Sequence, residues 1–122
     1  GDTAETTELA KDAAEGFRVI NVNNLDADSP FGQKMTAAGV EPQAALVYMA
    51  HGYDAMGVLA EAIAAAGTEG TAIRDYLYDL PSYDGVIGTF SFDANGDVEG
   101  INYALKEVQD GVFVKLQDIS VQ

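Results

Sequence analysis

The stretch QAALVYMAHGYDAMGVLAEAIAAAG, residues 43–67, constrains the fold of this chain more than any other. Apolar residues recur in it at the three- and four-residue spacing of an α-helix, and alanine and glycine rather than charges fill most other positions. The residues that form this pattern are Leu46, Tyr48, Met49, Tyr53, Met56, Leu59, Ala60 and Ile63. We predict a helix that ends at Gly67 and is buried nearly all round, so that it needs cover on more than one side.

Two shorter helices and a helical turn are predicted around this long helix. Thr6 or Thr7 is expected to cap the first short helix, which runs through Glu15 and stops at Gly16. Residues 25–42 carry loop signals, with one or two helical turns over residues 31–38. Beyond Gly67, a cap at Thr68 or Thr71 predicts a helix that runs through Tyr78 and is stopped by Pro81.

The remaining apolar runs are typical of β-strands. They cover residues 17–22, 86–92, 101–108 and 112–116. Asn95-Gly96 and Asp110-Gly111 separate the last three runs, and both dipeptides are strong signals for hairpin turns because glycine tolerates a positive φ. Helices therefore alternate with strands along the chain, which predicts an α/β fold.

The stretch SFDANGDVEG, residues 91–100, places oxygen-bearing side chains at alternate positions, as the start of a calcium loop does. In a loop that begins at Asp93, glycine should stand at the sixth position and a bidentate glutamate at the twelfth. Val98 and Ala104 stand there instead. We therefore interpret residues 93–97 as a hairpin turn, in which aspartate and asparagine side chains bond their own backbone. A weak cation site is the alternative.

Composition and motifs argue against several classes of protein. Six basic and twenty acidic residues give a net charge of −14, so nucleic acid and anionic membranes would be repelled. Without cysteine, thiolate catalysis and zinc–thiolate sites are excluded. The one histidine, His51, lies in the apolar helix, and no nucleophile elbow or glycine-rich phosphate loop is present. The sequence thus predicts no enzyme activity, no cofactor and no metal site.

Four stretches together resemble a known family. They are YMAHGYDAMGVLAEAIAAAG (residues 48–67), AIRDYLYDLPSYDGVIGTFSFDANGD (residues 72–97), QDGVF (residues 109–113) and, upstream, ELAKDAAEGFRV (residues 8–19). In this order they are similar to the C-terminal part of type I periplasmic solute-binding proteins of ABC importers, in the branched-chain amino acid subgroup.

The resemblance implies one part of a two-lobed α/β protein that closes over a small solute. By that mapping, residues 1–24 end the second-lobe region, residues 25–42 cross over, residues 43–92 supply first-lobe helices and a strand, and residues 93–122 form hairpin strands that return through the hinge. The implied function is extracytoplasmic delivery of an aliphatic amino acid to the membrane subunits of an ABC importer. A sensory receptor domain of the same fold is the alternative.

Two ligand-binding residues follow from the resemblance. The family places an acidic residue after a second-lobe strand to accept hydrogen bonds from the ligand's α-ammonium, and Asp2 occupies that place here. Tyr48 matches an aromatic residue that lines the cleft at the start of the long helix. The alternatives are a solvated aspartate and a tyrosine packed in the core. Because first-lobe strands that would cover the long helix lie upstream in the family, we expect the isolated chain to self-associate.

Overall fold

The computed structural model describes residues 2–22, 25–41 and 46–120. Their contacts divide them into two units. Residues 2–22 and 102–120 form the first, here called the sheet unit, and residues 25–41 and 46–101 form the second, the helical unit. The change from one to the other falls at Ile101 and Asn102, inside the predicted segment 93–122. The assignment of the four predicted segments to lobes and hinge stays a prediction.

The sheet unit begins with a short helix, α1 (Ala4–Ala10), which continues as a 3₁₀ turn over Lys11–Ala14. Its three antiparallel strands are β1 (Arg18–Val22), β5 (Asn102–Gln109) and β6 (Val112–Ser120), with β5 in the middle. Ile20 lies opposite Leu105 in the register of β1 and β5. Every second residue of β5 is buried, as expected for a strand with one covered face: Ala104, Lys106 and Val108.

The predicted turn between the last two strands is confirmed. Asp110 and Gly111 both have a positive φ, 53° and 77°, as a two-residue type I′ hairpin requires. The carboxylate of Glu15 accepts hydrogen bonds from the amides of both turn residues, at 3.2 and 3.4 Å. The chain just before β1 thus holds the end of the hairpin that pairs with it.

The helical unit contains α2 (Pro30–Ala37), α3 (Leu46–Ala66) and α4 (Gly70–Asp79), followed by a three-stranded antiparallel sheet. The strands of this sheet are β2 (Tyr83–Gly85), β3 (Gly88–Phe92) and β4 (Val98–Glu99). Its core joins Phe31 of α2 to Leu46 and Ala50 of α3. The helical turns expected over residues 31–38 and the long helix that stops at Gly67, whose φ is 84°, are confirmed, while residues 43–45 lie outside the described part.

Three sequence predictions about helix caps and strands are wrong. Thr6 and Thr7 lie inside α1, whose N-cap is Thr3, because the helix begins earlier than the threonine signals suggested. The N-cap of α4 is Glu69 rather than Thr68 or Thr71. The run 86–92 is not one strand, because residues 86 and 87 form a tight turn between β2 and β3.

The burial predicted for α3 is also wrong in part. One stripe of the helix is buried, consisting of Leu46, Val47, Ala50, Asp54, Val58 and Ala62. On the opposite side, Tyr48 is 70% exposed and Met56 is 66% exposed. Because small alanine side chains occupy several faces of α3, the sequence did not show which face would be packed. In this structure a single face is packed.

Candidate functional site

Asp2, the first predicted ligand-binding residue, lies in a polar cluster of the sheet unit. Its Oδ1 accepts a hydrogen bond of 2.6 Å from Nδ2 of Asn21 on β1. Its Oδ2 forms an ion pair with Nζ of Lys106 on β5. The side chains of Asp2 and Lys106 are only 8% and 7% exposed. Both oxygens of the carboxylate are therefore engaged by neighbours within the chain.

The strands explain why these groups meet. Alternation along β5 places Lys106 between Ala104 and Val108 on its buried face, where an ammonium needs an anionic partner. Asp2, just before the N-cap residue of α1, supplies that anion. Oδ1 of Asn21 accepts the amide of Val22 at 2.9 Å, which orients the Asn21 side chain so that its Nδ2 donates to Asp2. The cluster therefore joins the start of the described chain to the central strand.

The electrostatics of the cluster favour the charged form of Asp2. Burial by itself raises the pKa of this carboxyl. The hydrogen bonds from Lys106 and Asn21, together with the positive charge of Lys106, outweigh that effect and lower the pKa below its ordinary value of 3.8. Asp2 is accordingly an ionised carboxylate at neutral pH, as a partner for an ammonium group must be.

Tyr48, the second predicted ligand-binding residue, lies in the first turn of α3 in the helical unit. Its side chain belongs to the exposed face of that helix and not to the core stripe. In this structure Tyr48 is therefore not a core residue, which was the alternative. Asp2 and Tyr48 belong to different units. Their roles as ligand contacts stay predictions.

Asp54 is a buried polar residue that the sequence analysis did not single out. It lies on α3 and is 2% exposed. Its Oδ1 accepts the amide of Val86 and its Oδ2 accepts the amide of Ile87, both at 2.9 Å. A Cβ atom on Gly85 would stand 2.3 Å from Oδ2, so only glycine fits there without a shift. Asp54 therefore holds the β2–β3 turn against the long helix.

His51 lies one turn before Asp54, and both residues line a cavity of about 320 Å³ in the helical unit. Nδ1 of His51 lies 2.6 Å from the carbonyl oxygen of Val47, so Nδ1 is the donor in that bond. The rest of the lining is apolar and includes Val58, Leu77, Ile87, Phe90, Phe92 and Ile101. A second cavity of similar volume shares Leu77 and Phe92 with the first. This space is suited to apolar side chains or an apolar ligand.

The turn over residues 93–97 has the geometry that the sequence predicted. Oδ1 of Asp93 accepts the amides of Asn95 and Asp97, both at 2.8 Å, and Gly96 has a φ of 86°. These hydrogen bonds lower the pKa of Asp93, and the one from the Asp97 amide has the largest effect. The interpretation as a hairpin turn is confirmed. Within residues 2–22, 25–41 and 46–120, no group of three or more metal-ligating side chains lies together.

Among the helices that the structure describes, none has both the length and the apolar character needed to cross a membrane. The longest, α3, has 21 residues.

Comparison with solved structures identifies the fold. A leucine-binding protein, LivK, from Thermotoga maritima matches 98% of this chain with a TM-score of 0.70 and 27% identity, and the match covers 35% of that protein. For a branched-chain amino acid ABC transporter protein from Rhodospirillum rubrum the TM-score is 0.64 and the identity 29%, over 93% of this chain and 34% of that one. A substrate-binding protein from Desulfitobacterium hafniense, in complex with Leu, matches 84% of this chain at 31% identity and a TM-score of 0.58, over 32% of its own length.

These matches define a class of protein. The chain has the α/β fold of part of the type I solute-binding proteins of ABC transporters, and it is similar to their branched-chain amino acid group. It spans about one third of the length of the proteins that it matches. The predicted resemblance and fold class are confirmed. No protein-family model matches the sequence, and no curated protein sequence matches it.

Proposed function

We propose that this chain is part of an extracytoplasmic solute-binding protein that binds an aliphatic amino acid and delivers it to an ABC importer. The observation that carries the proposal is the match to a leucine-binding protein over 98% of the chain. A second match, at 31% identity, is to a substrate-binding protein in complex with Leu. In such a protein two lobes close over the solute, and the closed form is what the membrane subunits would recognise.

The same matches bear on the alternatives. Each of the three solved structures described above is named as a binding or transporter protein, and none as an enzyme or a receptor. They do not favour the sensory-receptor alternative. An extracytoplasmic location and contact with the membrane subunits of an importer follow from the proposed role. Nucleic acid remains an unsuitable partner for a chain with a net charge of −14.

Titration calorimetry on the full-length protein that carries this chain tests the proposal. We expect leucine, isoleucine or valine to bind, with D-leucine as the control because a site for the α-ammonium and the side chain should distinguish enantiomers. Absence of binding by all three amino acids would reject a branched-chain amino acid as the solute.

Asp2 and Tyr48 are the proposed contacts of this solute. Asp2→Asn should cost about 2 to 5 kcal/mol of binding by removing the anionic partner of the ligand's ammonium. Tyr48→Ala should cost less, through lost apolar contact. A melting curve of each variant separates loss of binding from loss of folding. Unchanged affinity in folded Asp2→Asn would place the acidic contact elsewhere.

We also propose that the 122-residue chain self-associates when it is alone. The support is the exposed apolar face of α3, which carries Tyr48, Met56 and Ile63. These residues lie within about 80° of one another around the helix, given about 100° per residue. Contiguous apolar surface of this kind is unusual on a monomer. Sedimentation equilibrium tests the proposal, and a monomer at concentrations up to about millimolar would reject it.

A further inference from the structure

The ion pair between Asp2 and Lys106 bears on which ligands Asp2 can accept. A ligand's α-ammonium needs a free lone pair on the carboxylate and a position away from other cations. In this structure Asn21 bonds one oxygen and Lys106 bonds the other. The remaining lone pairs lie on the same two oxygens. An ammonium that used them would therefore stand close to Nζ of Lys106.

The ligand's ammonium and the Lys106 ammonium would repel each other, and this repulsion is stronger when the groups are buried than in water. Lys106 is 7% exposed, so solvent screens its charge poorly. A second pair on the same two strands provides a contrast. Arg18 of β1 forms an ion pair with Glu107 of β5, but its side chain is 64% exposed, and its charge is well screened. Of these two cations, Lys106 should act more strongly on what approaches Asp2.

We propose that Lys106 sets the charge selectivity of Asp2, by competing with a ligand's ammonium for that carboxylate. The proposal rests on the proposed function, and it names a residue that the family resemblance did not provide. Lys106 makes the pair neutral as a whole, so the affinity gained from an α-ammonium is smaller than a free carboxylate would give. A ligand without that ammonium loses nothing at Lys106.

The test compares two ligands that differ only at this group. Leucine and isocaproate, which is leucine without its amino group, are titrated into the full-length protein and into Lys106→Gln. The glutamine keeps a neutral donor beside Asp2 and removes the positive charge. We expect the ratio of leucine affinity to isocaproate affinity to rise about tenfold or more in Lys106→Gln. Arg18→Gln is the matched control, and its ratio should stay within about twofold of the wild-type value.

A double variant identifies the route of the effect. In Asp2→Asn with Lys106→Gln the increase in the ratio should disappear, because the carboxylate for which the two cations compete is gone. A merely structural role of Lys106 would lower both affinities together and leave the ratio unchanged. That result would overturn the proposal, as would an equal rise in the ratio with and without Asp2.

Melting curves accompany each titration, and Lys106→Met serves as a second uncharged variant. If neither Lys106 variant folds, the lysine is a structural requirement, and the proposal is overturned. If the wild-type protein binds leucine but the ratio does not move, the charge-selectivity proposal fails and the proposed function stands. If the wild-type protein binds neither ligand, the proposed function fails, and this proposal fails with it.

Discussion

Asp54 should be among the most sensitive positions of the helical unit. Its carboxylate is 2% exposed and accepts the amides of both residues in the β2–β3 turn. A substitution that removes an acceptor leaves a turn amide without its partner, close to the packed face of α3. We therefore expect Asp54 variants to lose stability although Asp54 is not a predicted ligand contact.

The expected magnitude follows from the two bonds. A hydrogen bond to a charged group contributes about 1.5 to 3 kcal/mol. Asp54→Asn keeps one acceptor oxygen and should cost about 2 kcal/mol, whereas Asp54→Ala loses both bonds and should cost about 4 kcal/mol. Val86 and Ile87 are half-buried, so water compensates part of the loss, and both figures lie below the upper limits of about 3 kcal/mol for one bond and about 6 kcal/mol for two.

Urea unfolding of the chain, followed by circular dichroism, measures the change in the free energy of unfolding. Asp84→Asn is the matched control, because Asp84 lies in the same hairpin and accepts one bond of 2.7 Å from the Thr89 hydroxyl, yet is exposed. It should change stability by less than about 0.5 kcal/mol. Equal losses of stability in Asp54→Asn and Asp84→Asn would refute the reasoning, because burial and the two amide hydrogen bonds would then have no effect on the free energy of unfolding.

Two other sites give independent predictions. The hydrogen bonds to Asp2 and the charge of Lys106 lower the pKa of the Asp2 carboxyl. The ion pair therefore contributes stability above about pH 4, and this stability is lost as the pH falls through the folded-state pKa. Asp2→Asn should flatten the acid dependence of the urea midpoint. An acid dependence as steep as in the wild type would contradict this. Asp93→Ala should lower the melting temperature more than Asp97→Ala, because the Asp93 carboxylate accepts two turn amides, and added calcium should shift neither melting curve. A calcium-dependent shift that Asp93→Ala removes would instead support the cation site.

The features that the sequence predicted correctly are those decided by neighbours along the chain. Gly16 and Gly67 have a positive φ, as expected where a helical segment stops. The Asp110-Gly111 turn and the Asp93 turn are also decided within a few residues. Local backbone preferences are visible in one sequence, so the order of elements could be predicted.

The features that the sequence did not predict depend on residues far apart. The turn between Gly85 and Gly88 has two β-branched central residues, Val86 and Ile87. It is held by Asp54, which lies 32 and 33 residues earlier. Lys106 and Asp2 are 104 positions apart, so the pairing of the predicted ligand contact was not visible. The packed face of α3 was ambiguous because apolar or small residues occupy most of its positions. Tertiary contacts select among options that local patterns leave equivalent.

The exposed face of α3 leads to a last prediction, on self-association. Met56 is 66% exposed on the side opposite the buried stripe, so a charge placed there should not disturb the core. Met56→Lys should weaken self-association of the chain, because a lysine side chain would have to be desolvated in the contact. Thr68→Lys is the control, since it changes the net charge equally but lies just beyond α3 at an exposed position. Sedimentation equilibrium should show weaker association for Met56→Lys alone. Equal weakening by both substitutions would mean that net charge, rather than this apolar face, governs association.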